Sequence, residues 1–420
     1  MAKQLHRKFP DKQVKSLLEK YLSKEIKIDY ILEVLGIGRS RFFELLTKYR
    51  EDPKHFSIAY RRKNNPRTIG KEIEENILKE LRIEKSLIKN KDMPIKSYNY
   101  SYIRDQLWSK YQQKVSLPTI IDRAKKNNFY FPRPKRKSHD REVLTNYAGE
   151  LIQHDSSQHK RSPYVDEKWH LITSLDDYSR NLLYAEFVKQ ETSWDHIEAL
   201  ENVILRYGLP YAYYVDSHSI FRFVQGRDSF WRKHHKITDE VDPQWKQVLN
   251  ECRVKITYAL SPQARGKVER PYGWLQDRIV RTCARETIRT IDQARELLKA
   301  EVNRYNNHQV HSTTGEIPSL RLQRALDEKK SLFREFAVPP PFESSKDIFS
   351  LKAERIVNPY RKISFNNMEF RISGVPIRET VQLRIIPNKE SGMAEIRFWC
   401  NNKLVDIQKI KNEDLNLVHF

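Results

Sequence analysis

Apolar positions recur every three to four residues through the first third of the chain, the period of helices that bury one face. Tyr30 to Arg50, YILEVLGIGRSRFFELLTKYR, carries such a stripe on either side of Gly36-Ile37-Gly38, with Ser40 near the start of the second segment. Two short amphipathic segments about a glycine turn make a helix-turn-helix pattern, with Arg39 to Tyr49 as its candidate recognition helix. A second unit follows from about Lys71 to Asn128. There IGKEIEENILKELRIEKSLI and YSYIRDQLWSKYQQ are amphipathic, and LPTIIDRAKKNN, opened by Ser116 and Pro118, has the form of a second recognition helix. Three-helix bundles without a ligand share this periodicity, so the pattern alone leaves DNA binding open.

Beyond about residue 145 the period changes to strands alternating with helices. LIQHDSS, WHLITSLDD and LLYAEFVK predict three adjacent strands, Trp194 to Tyr207 a helix, YAYYVD a fourth strand and RVKITYAL a fifth. A helical stretch to about Arg285 and another at Ile291 to Asn307 follow, which implies a mixed sheet covered by helices. After the Pro-rich VPPPFES, the runs RKISF and MEFRI flank Asn366-Asn367, a pair suited to the positive φ of a tight hairpin. VQLRII, MAEIRFWC and KLVDIQKI complete what reads as a small antiparallel barrel of about five strands, of SH3-like size.

The resulting organisation is multidomain. All-α helix-turn-helix modules are expected over 1–58 and 69–130, and a basic linker over 131–145. An α/β core follows over 146–325, with an insertion at about 220–250, and a small all-β barrel over 343–412. The connectors YRRKNNPRT and FPRPKRKSHDRE combine proline with like charge, which opposes packing; such a segment can be a solvated tether or can lie along a DNA groove.

Charge sharpens the picture. Of the net +22 over 420 residues, the first 146 hold 35 Lys and Arg against 18 Asp and Glu, while the remainder holds 42 against 37. A polyanion is therefore drawn first to the N-terminal third, where neutralising phosphates releases counterions. No run approaches the roughly 18 apolar residues of a membrane span, so no membrane partner is expected. The N-terminus lacks the apolar run and cleavage site of a secretory signal. Cys252, Cys283 and Cys400 have no C-x-x-C spacing, which argues against a disulfide framework and a cysteine zinc site and suits a reducing cytoplasm. Neither a phosphate-cradling G-x-x-x-x-G-K-[ST] nor a G-x-S-x-G run occurs. The 21 tyrosines leave a covalent tyrosine recombinase open on count alone.

Divalent-metal chemistry on phosphodiesters needs carboxylates, because Mg²⁺ prefers oxygen ligands. Asp155 lies in the first core strand, Asp216 ends YAYYVD, and Glu269 follows the fifth strand in SPQARGKVER. Each alone is as easily a turn former. Together, GELIQHDSS, ITSLDDYSR, YVDSHSIF and ALSPQARGKVER, in that order and followed by VNRYNNHQVHSTTGEIPSLR, resemble the hallmark blocks of the integrase-type catalytic core. That core is shared by retroviral integrases and many bacterial insertion-sequence transposases, and the resemblance covers about 135–325. It implies an RNase H-like fold in which Asp155, Asp216 and Glu269 form the DDE triad, catalytic and metal-holding. Two Mg²⁺ per site, with Mn²⁺ able to substitute, are the cofactors it implies.

There are departures from the family pattern. Asp216 and Glu269 are separated by 52 residues, longer than usual, and FRFVQGRDSFWRKHHKITDEVDPQWKQ reads as inserted material, either a DNA or subunit contact or a surface excursion. Pro271 and Gly273 weaken a helix, so one carrying Glu269 is expected to start or kink there. The retroviral N-terminal His and Cys pairs are missing. Asp176 and Asp177 match a block that is structural in the family, with Arg180 to tie it down. Asp228, Asp239 and Asp242 fall in the insertion. His154 and His159, five apart on a strand, face opposite ways and suit packing or DNA contact rather than zinc. His218 beside Asp216 is read the same way.

The reaction these features imply is two-metal cleavage at the terminal inverted repeats of a mobile element, then attack of the freed 3′-hydroxyl on target duplex DNA. DNA contacts are expected from Arg39, Ser40 and Arg41; from Arg61, Arg62, Lys63 and Arg67; from Thr119, Arg123, Lys125 and Lys126; and from Arg133, Lys135, Arg136 and Lys137. Arg265, Lys267 and Arg270 are expected at the scissile or target phosphates. Paired ends imply a homodimer or larger homo-oligomer, held in the cytoplasm at the nucleoid by its DNA. Two alternatives remain: a DNA-binding regulator that keeps the fold without transposing, and an RNase H-like nuclease acting on RNA or hybrids.

Overall fold

The computed structural model describes residue 5 and residues 8–59, 69–90, 95–131, 145–216, 243–258 and 266–415, with 266–272 described as backbone only. It divides into two compact units, Met1–Glu74 and Glu75–Phe420. In the first, α1 (Asp11–Leu22), α2 (Ile28–Leu35) and α3 (Arg39–Glu51) bury Val14, Leu18, Ile31, Leu35, Phe42, Leu45 and Leu46 together. α2 stops at Gly36, whose φ of 61° is the left-handed conformation that ends a helix at least cost in glycine. α3 then starts after an extended Gly38.

The larger unit opens with α4 (Lys71–Lys89, its first turn shared with the smaller unit), α5 (Tyr100–Tyr111) and α6 (Leu117–Lys126). Asn99 caps α5 by accepting from the Tyr102 amide, and Ser116 caps α6 by accepting from Thr119. The core sheet is β1 (Leu151–His159), β2 (Trp169–Asp176), β3 (Leu182–Val188), β4 (Ala212–Val215) and β5 (Lys255–Tyr258), in the spatial order β3-β2-β1-β4-β5. The first three pair antiparallel; β4 then runs parallel to β1, and β5 parallel to β4.

Alternation of side chains sorts the sheet into two faces. Ile152, Tyr213 and Val215 pack under α7 (Ser193–Tyr207) and α8 (Gln244–Glu251). On the opposite face, Trp169, Leu171, Leu175 and Phe187 pack against Leu275, Ile279 and Cys283 of α9 (Gly266–Arg285) and Ala294 and Leu298 of α10 (Ile291–His308). Two expectations change here. The segment FRFVQ to WKQ is not wholly a surface excursion: residues 217–242 lie outside the described set, but Trp245 is fully buried and stacks on His154 at 5.8 Å. The helix bearing Glu269 does not start at Pro271 or Gly273. It begins at Gly266 and runs through both, so the one backbone bond proline forfeits is outweighed by the packing of the turns that follow.

After α11 (Pro318–Asp327) and the single-turn α12 (Ser345–Ile348) come β6 (Leu351–Ile356), β7 (Lys362–Phe365), β8 (Met368–Arg371), β9 (Thr380–Asn388), β10 (Met393–Cys400) and β11 (Lys403–Lys411). They form a four-stranded antiparallel sheet, β11-β10-β9-β6, and a separate β7-β8 hairpin. The hairpin turns on Asn366 and Asn367, with φ of 53° and 61°. Phe349, Leu351, Leu383 and Ile385 join the same apolar cluster as α7 and α8. At that seam Glu251 holds Arg384 at 2.7 Å and Lys352 at 2.9 Å.

Burial pushes the Lys352 ammonium down to about 8, and Glu251 only partly offsets this. Between that value and an unfolded value near ~10.4 the native state binds fewer protons, so stability rises with pH across the interval and the charge costs stability below it. Lys352→Met is therefore expected to stabilise the chain at pH ~7 by roughly 1–3 kcal/mol, since Glu251 keeps Arg384. Denaturant titrations of both proteins should find this advantage shrinking as pH rises from ~8 toward ~10; a pH-independent difference would refute it.

Candidate catalytic carboxylates on the central sheet

The parallel register of β1 and β4 pairs Leu151 with Ala212 and Gln153 with Tyr214. Asp155 stands two residues further along β1 and Asp216 directly after the end of β4, so the same register carried on sets them level, at the strand spacing of about 5 Å. Leu151, Ala212 and Tyr214 cluster on one face, and alternation sets both aspartates on that face. The antiparallel partner agrees: Asp155 sits opposite Thr173, between Leu171 and Leu175, which pack on α9. Glu269 belongs to the first turns of that helix. Both aspartates are half-buried, and the Ser156 amide donates to Asp155 Oδ1 at 2.9 Å.

On the other face of β1 runs a polar chain with little signal in the sequence. His154 Nδ1 meets Ser174 Oγ at 2.9 Å, and its Nε2 meets His196 Nδ1 at 2.8 Å. His196 Nε2 meets Glu191 Oε1 at 2.9 Å; Glu191 also accepts from the Ser156 hydroxyl and lies 3.3 Å from His170. Burial, reinforced by His196, holds His154 well below the ordinary imidazole range, with Glu191 opposing. His154, buried and stacked on Trp245, is a packed group, one of the two readings its sequence position allowed. Glu191, in the turn between β3 and α7, carries only the sequence signal of an acid just before a helix.

Asp176 and Asp177 are buried and already engaged by protein donors. Asp176 accepts from the Gly149 amide at 2.9 Å and from the Ser179 amide at 2.8 Å. Asp177 accepts from Arg180 at 2.7 Å, Thr145 at 2.8 Å and the Gln153 amide group. Arg180 thus ties the block down, as expected.

Of the other expected contacts, Arg39 and Arg41 lie on the solvent side of α3, paired with Asp29 at 3.2 Å and Glu44 at 2.5 Å; Ser40 is exposed beside them. On α6, Thr119 bonds Ser116, while Arg123 and Lys126 pair with Asp122 at 2.5 and 3.0 Å. Lys125 stands over the Tyr130 ring at 5.0 Å. Arg61, Arg62, Lys63, Arg67, Arg133, Lys135, Arg136, Lys137, Arg265, His218, Asp228, Asp239 and Asp242 lie outside the described residues, and Lys267 and Arg270 are described as helix backbone only. Among the described residues no helix is long and apolar enough to cross a membrane.

No family model matches the chain. Over 186 residues it is 31% identical to "Putative transposase y4bF" of Sinorhizobium fredii, covering 44% of this chain and 37% of that protein. Over 251 residues it is 28% identical to the transposase for insertion sequence IS1202 of Streptococcus pneumoniae, covering 60% and 47%. The chain is thus similar, over part of its length, to proteins described as bacterial transposases. It spans less than half the length of these curated relatives. Solved structures similar to it include the HTLV-2 integrase catalytic core domain in complex with magnesium, at 19% identity and a TM-score of 0.31 over 43% of this chain and 98% of that one. The simian T-cell lymphotropic virus intasome chain, in complex with a PP2A regulatory subunit, matches at 17% and 0.33 over 72% and 97%. Scores this low do not bear on the fold.

The acids of the β2 to β3 turn and the candidate carboxylates of the site should separate by stability. Asp177→Ala strands the buried Arg180 and is expected to cost about 3–5 kcal/mol, seen as a large fall in the denaturant midpoint. Asp155→Asn should stay within about 1 kcal/mol of wild type. Equal losses in the two would overturn this division.

Proposed function

We propose that the chain is an integrase-type DDE transposase, a polynucleotidyl transferase that cuts the terminal inverted repeats of a mobile element and joins them to target duplex DNA. The observation that carries the reading is the parallel register of β1 with β4, which, carried on by two residues, sets Asp155 beside Asp216 on the face crossed by the helix that bears Glu269. The mixed sheet order β3-β2-β1-β4-β5 supports the RNase H-like reading of the core. Among the described residues no cluster of three metal-type ligands occurs, the side chain of Glu269 lying outside them.

Two half-buried carboxylates side by side fit a hard divalent cation, which takes oxygen ligands and shields their mutual repulsion. Asp155, Asp216 and Glu269 would hold two Mg²⁺ or Mn²⁺, which when bound lower the pKa of an attacking water or 3′-hydroxyl and neutralise charge on the leaving oxygen. The chain's own groups do the rest. The Ser156 amide fixes one oxygen of Asp155; Arg265, Lys267 and Arg270, next to Glu269 in the sequence, would hold scissile and target phosphates. The same carboxylates would serve hydrolysis and joining, since only the nucleophile differs.

Ends would be recognised by the helical modules. The exposed first turn of α3, with Arg39, Ser40 and Arg41, and the basic end of α6 suit the major groove, and the basic connectors an adjacent minor groove. Because two ends must be cut together, a homodimer or larger assembly on DNA is proposed.

Asp155→Asn and Glu269→Gln should each reduce metal-dependent cleavage and joining of an end-bearing duplex by at least about 10³-fold, with end binding within about twofold of wild type. Strand assays with Mg²⁺ or Mn²⁺, run beside binding titrations, check both. Tight binding by a wild type that yields no product would instead favour a DNA-binding regulator.

A further inference from the structure

The side of α9 turned to α4 and α5 carries three arginines at helical spacing: Arg278 and Arg281, both buried, and Arg285, whose side chain is 5% exposed. Arg281 reaches Glu84, Asp277 at 2.9 Å and the Ser97 carbonyl. Arg285 pairs with Glu80 and, at 3.0 Å, with Glu84. Arg278 pairs with Glu301 at 2.7 Å and Asp105 at 3.0 Å. Tyr102 of α5 lies between Arg278 and Arg285, 5.0 and 5.2 Å from its ring, and its hydroxyl bonds Thr282 at 2.8 Å. Burial raises the Glu84 carboxyl, and the two arginines pull it back.

We infer that this cluster is a positioning clamp: α4 and α5, through Glu80, Glu84, Tyr102 and Asp105, set the rotation and register of the helix that carries Glu269. The inference rests on the proposed role of Glu269. Buried ion pairs are a poor source of stability, because apolar residues of like volume do as well or better. What they add is direction, since a guanidinium fork meets carboxylates in few geometries, whereas an apolar seam tolerates sliding. The need for direction is real at this helix. A side-chain tip lies about 5–6 Å from a helix axis, so a rotation of about 20° moves it by ~2 Å, against the roughly 0.5 Å that a catalytic constellation tolerates. Leu275, Ile279 and Cys283 hold α9 to the sheet by non-directional packing; the arginines grip a different side. α6 packs on α5, so a load on the candidate DNA-reading helix passes through Tyr102 to the same place.

The test uses the full chain with Glu84→Leu/Arg281→Met, and with Arg281→Lys, which keeps the charge but cannot hold Glu84, Asp277 and the Ser97 carbonyl together. Three readings are taken: hydrogen exchange of the α9 amides, Mn²⁺ titration without DNA, and single-turnover nicking of a saturating end-bearing duplex against Mg²⁺ concentration. A clamp predicts a folded protein that binds ends within twofold. Exchange near Glu269 should be faster, the Mn²⁺ and Mg²⁺ midpoints raised about tenfold, and nicking slowed at least tenfold, with Arg281→Lys impaired in the same sense. Folded variants with wild-type exchange and metal midpoints would overturn the inference and leave the cluster as mere adhesion. If the double variant does not fold, Arg281→Lys decides alone. A wild type that neither binds Mn²⁺ nor nicks would sink the proposed function, while the exchange comparison would still decide whether the clamp holds α9.

Discussion

Parallel pairing of β1 with β4 is the constraint on which the rest of the larger unit depends. It brings together strands separated in sequence by two further strands and a helix, so loop closure must be met before any local contact rewards it. Residues on both faces of that seam are committed at once. Ile152, Tyr213 and Val215 go under α7 and α8, while Leu151, Ala212 and Tyr214 go to the α9 side and carry Asp155 and Asp216 with them. A slip of one residue in either strand would exchange the faces, burying a carboxylate among Trp245 and Val248 and exposing apolar side chains. The apolar core therefore enforces the level of the two aspartates far more strongly than any contact between like charges could.

That arrangement leaves two acids near each other in a half-buried place, which is unfavourable without a cation or donors. Asp176 and Asp177 meet this by accepting from backbone amides, hydroxyls and Arg180, and Asp155 in part by accepting from the Ser156 amide. The carboxylates of Asp176 and Asp177 organise the β2 to β3 turn, whereas Asp155 and Asp216 stand at the seam of β1 and β4, on the α9 side of the sheet. β1 is also fixed from behind, where Ser174, His154, His196 and Glu191 run in sequence to the Ser156 hydroxyl, the neighbour of Asp155.

Much of this was legible in the sequence because it is local. Strand alternation set Leu151 to His159 and Ala212 to Val215 where YAYYVD and LIQHDSS predicted them, and the hairpin at Asn366-Asn367 followed from two residues that accept positive φ. What escaped is long-range or competitive. Trp245 looked like part of an insertion, and only its burial against His154 reveals it as core. Pro271 and Gly273 argued for a helix start or kink there; the start falls earlier, at Gly266, because the cost of one backbone bond is small beside the burial of Leu275, Ile279 and Cys283 beyond them. The partnership of Glu84 with Arg281 spans 197 positions and leaves no periodicity to read.

The charge excess of the N-terminal third, read from composition as a footprint for a polyanion, also takes on a second aspect. α4 and α5 spend several of their acids, Glu80, Glu84 and Asp105, on buried arginines of the core. The acids that lower the net charge of the basic third are thus partly withdrawn from the surface, and the positive field left there is stronger than the formal count implies. Docking and phosphate attraction are consequently linked by one allocation of residues: the more acid is consumed internally, the more basic the face left to solvent. A surface patch of Lys125 and Lys126 on α6 then gains attraction for a duplex without any added lysine, and does so on a helix packed against the α5 that grips α9.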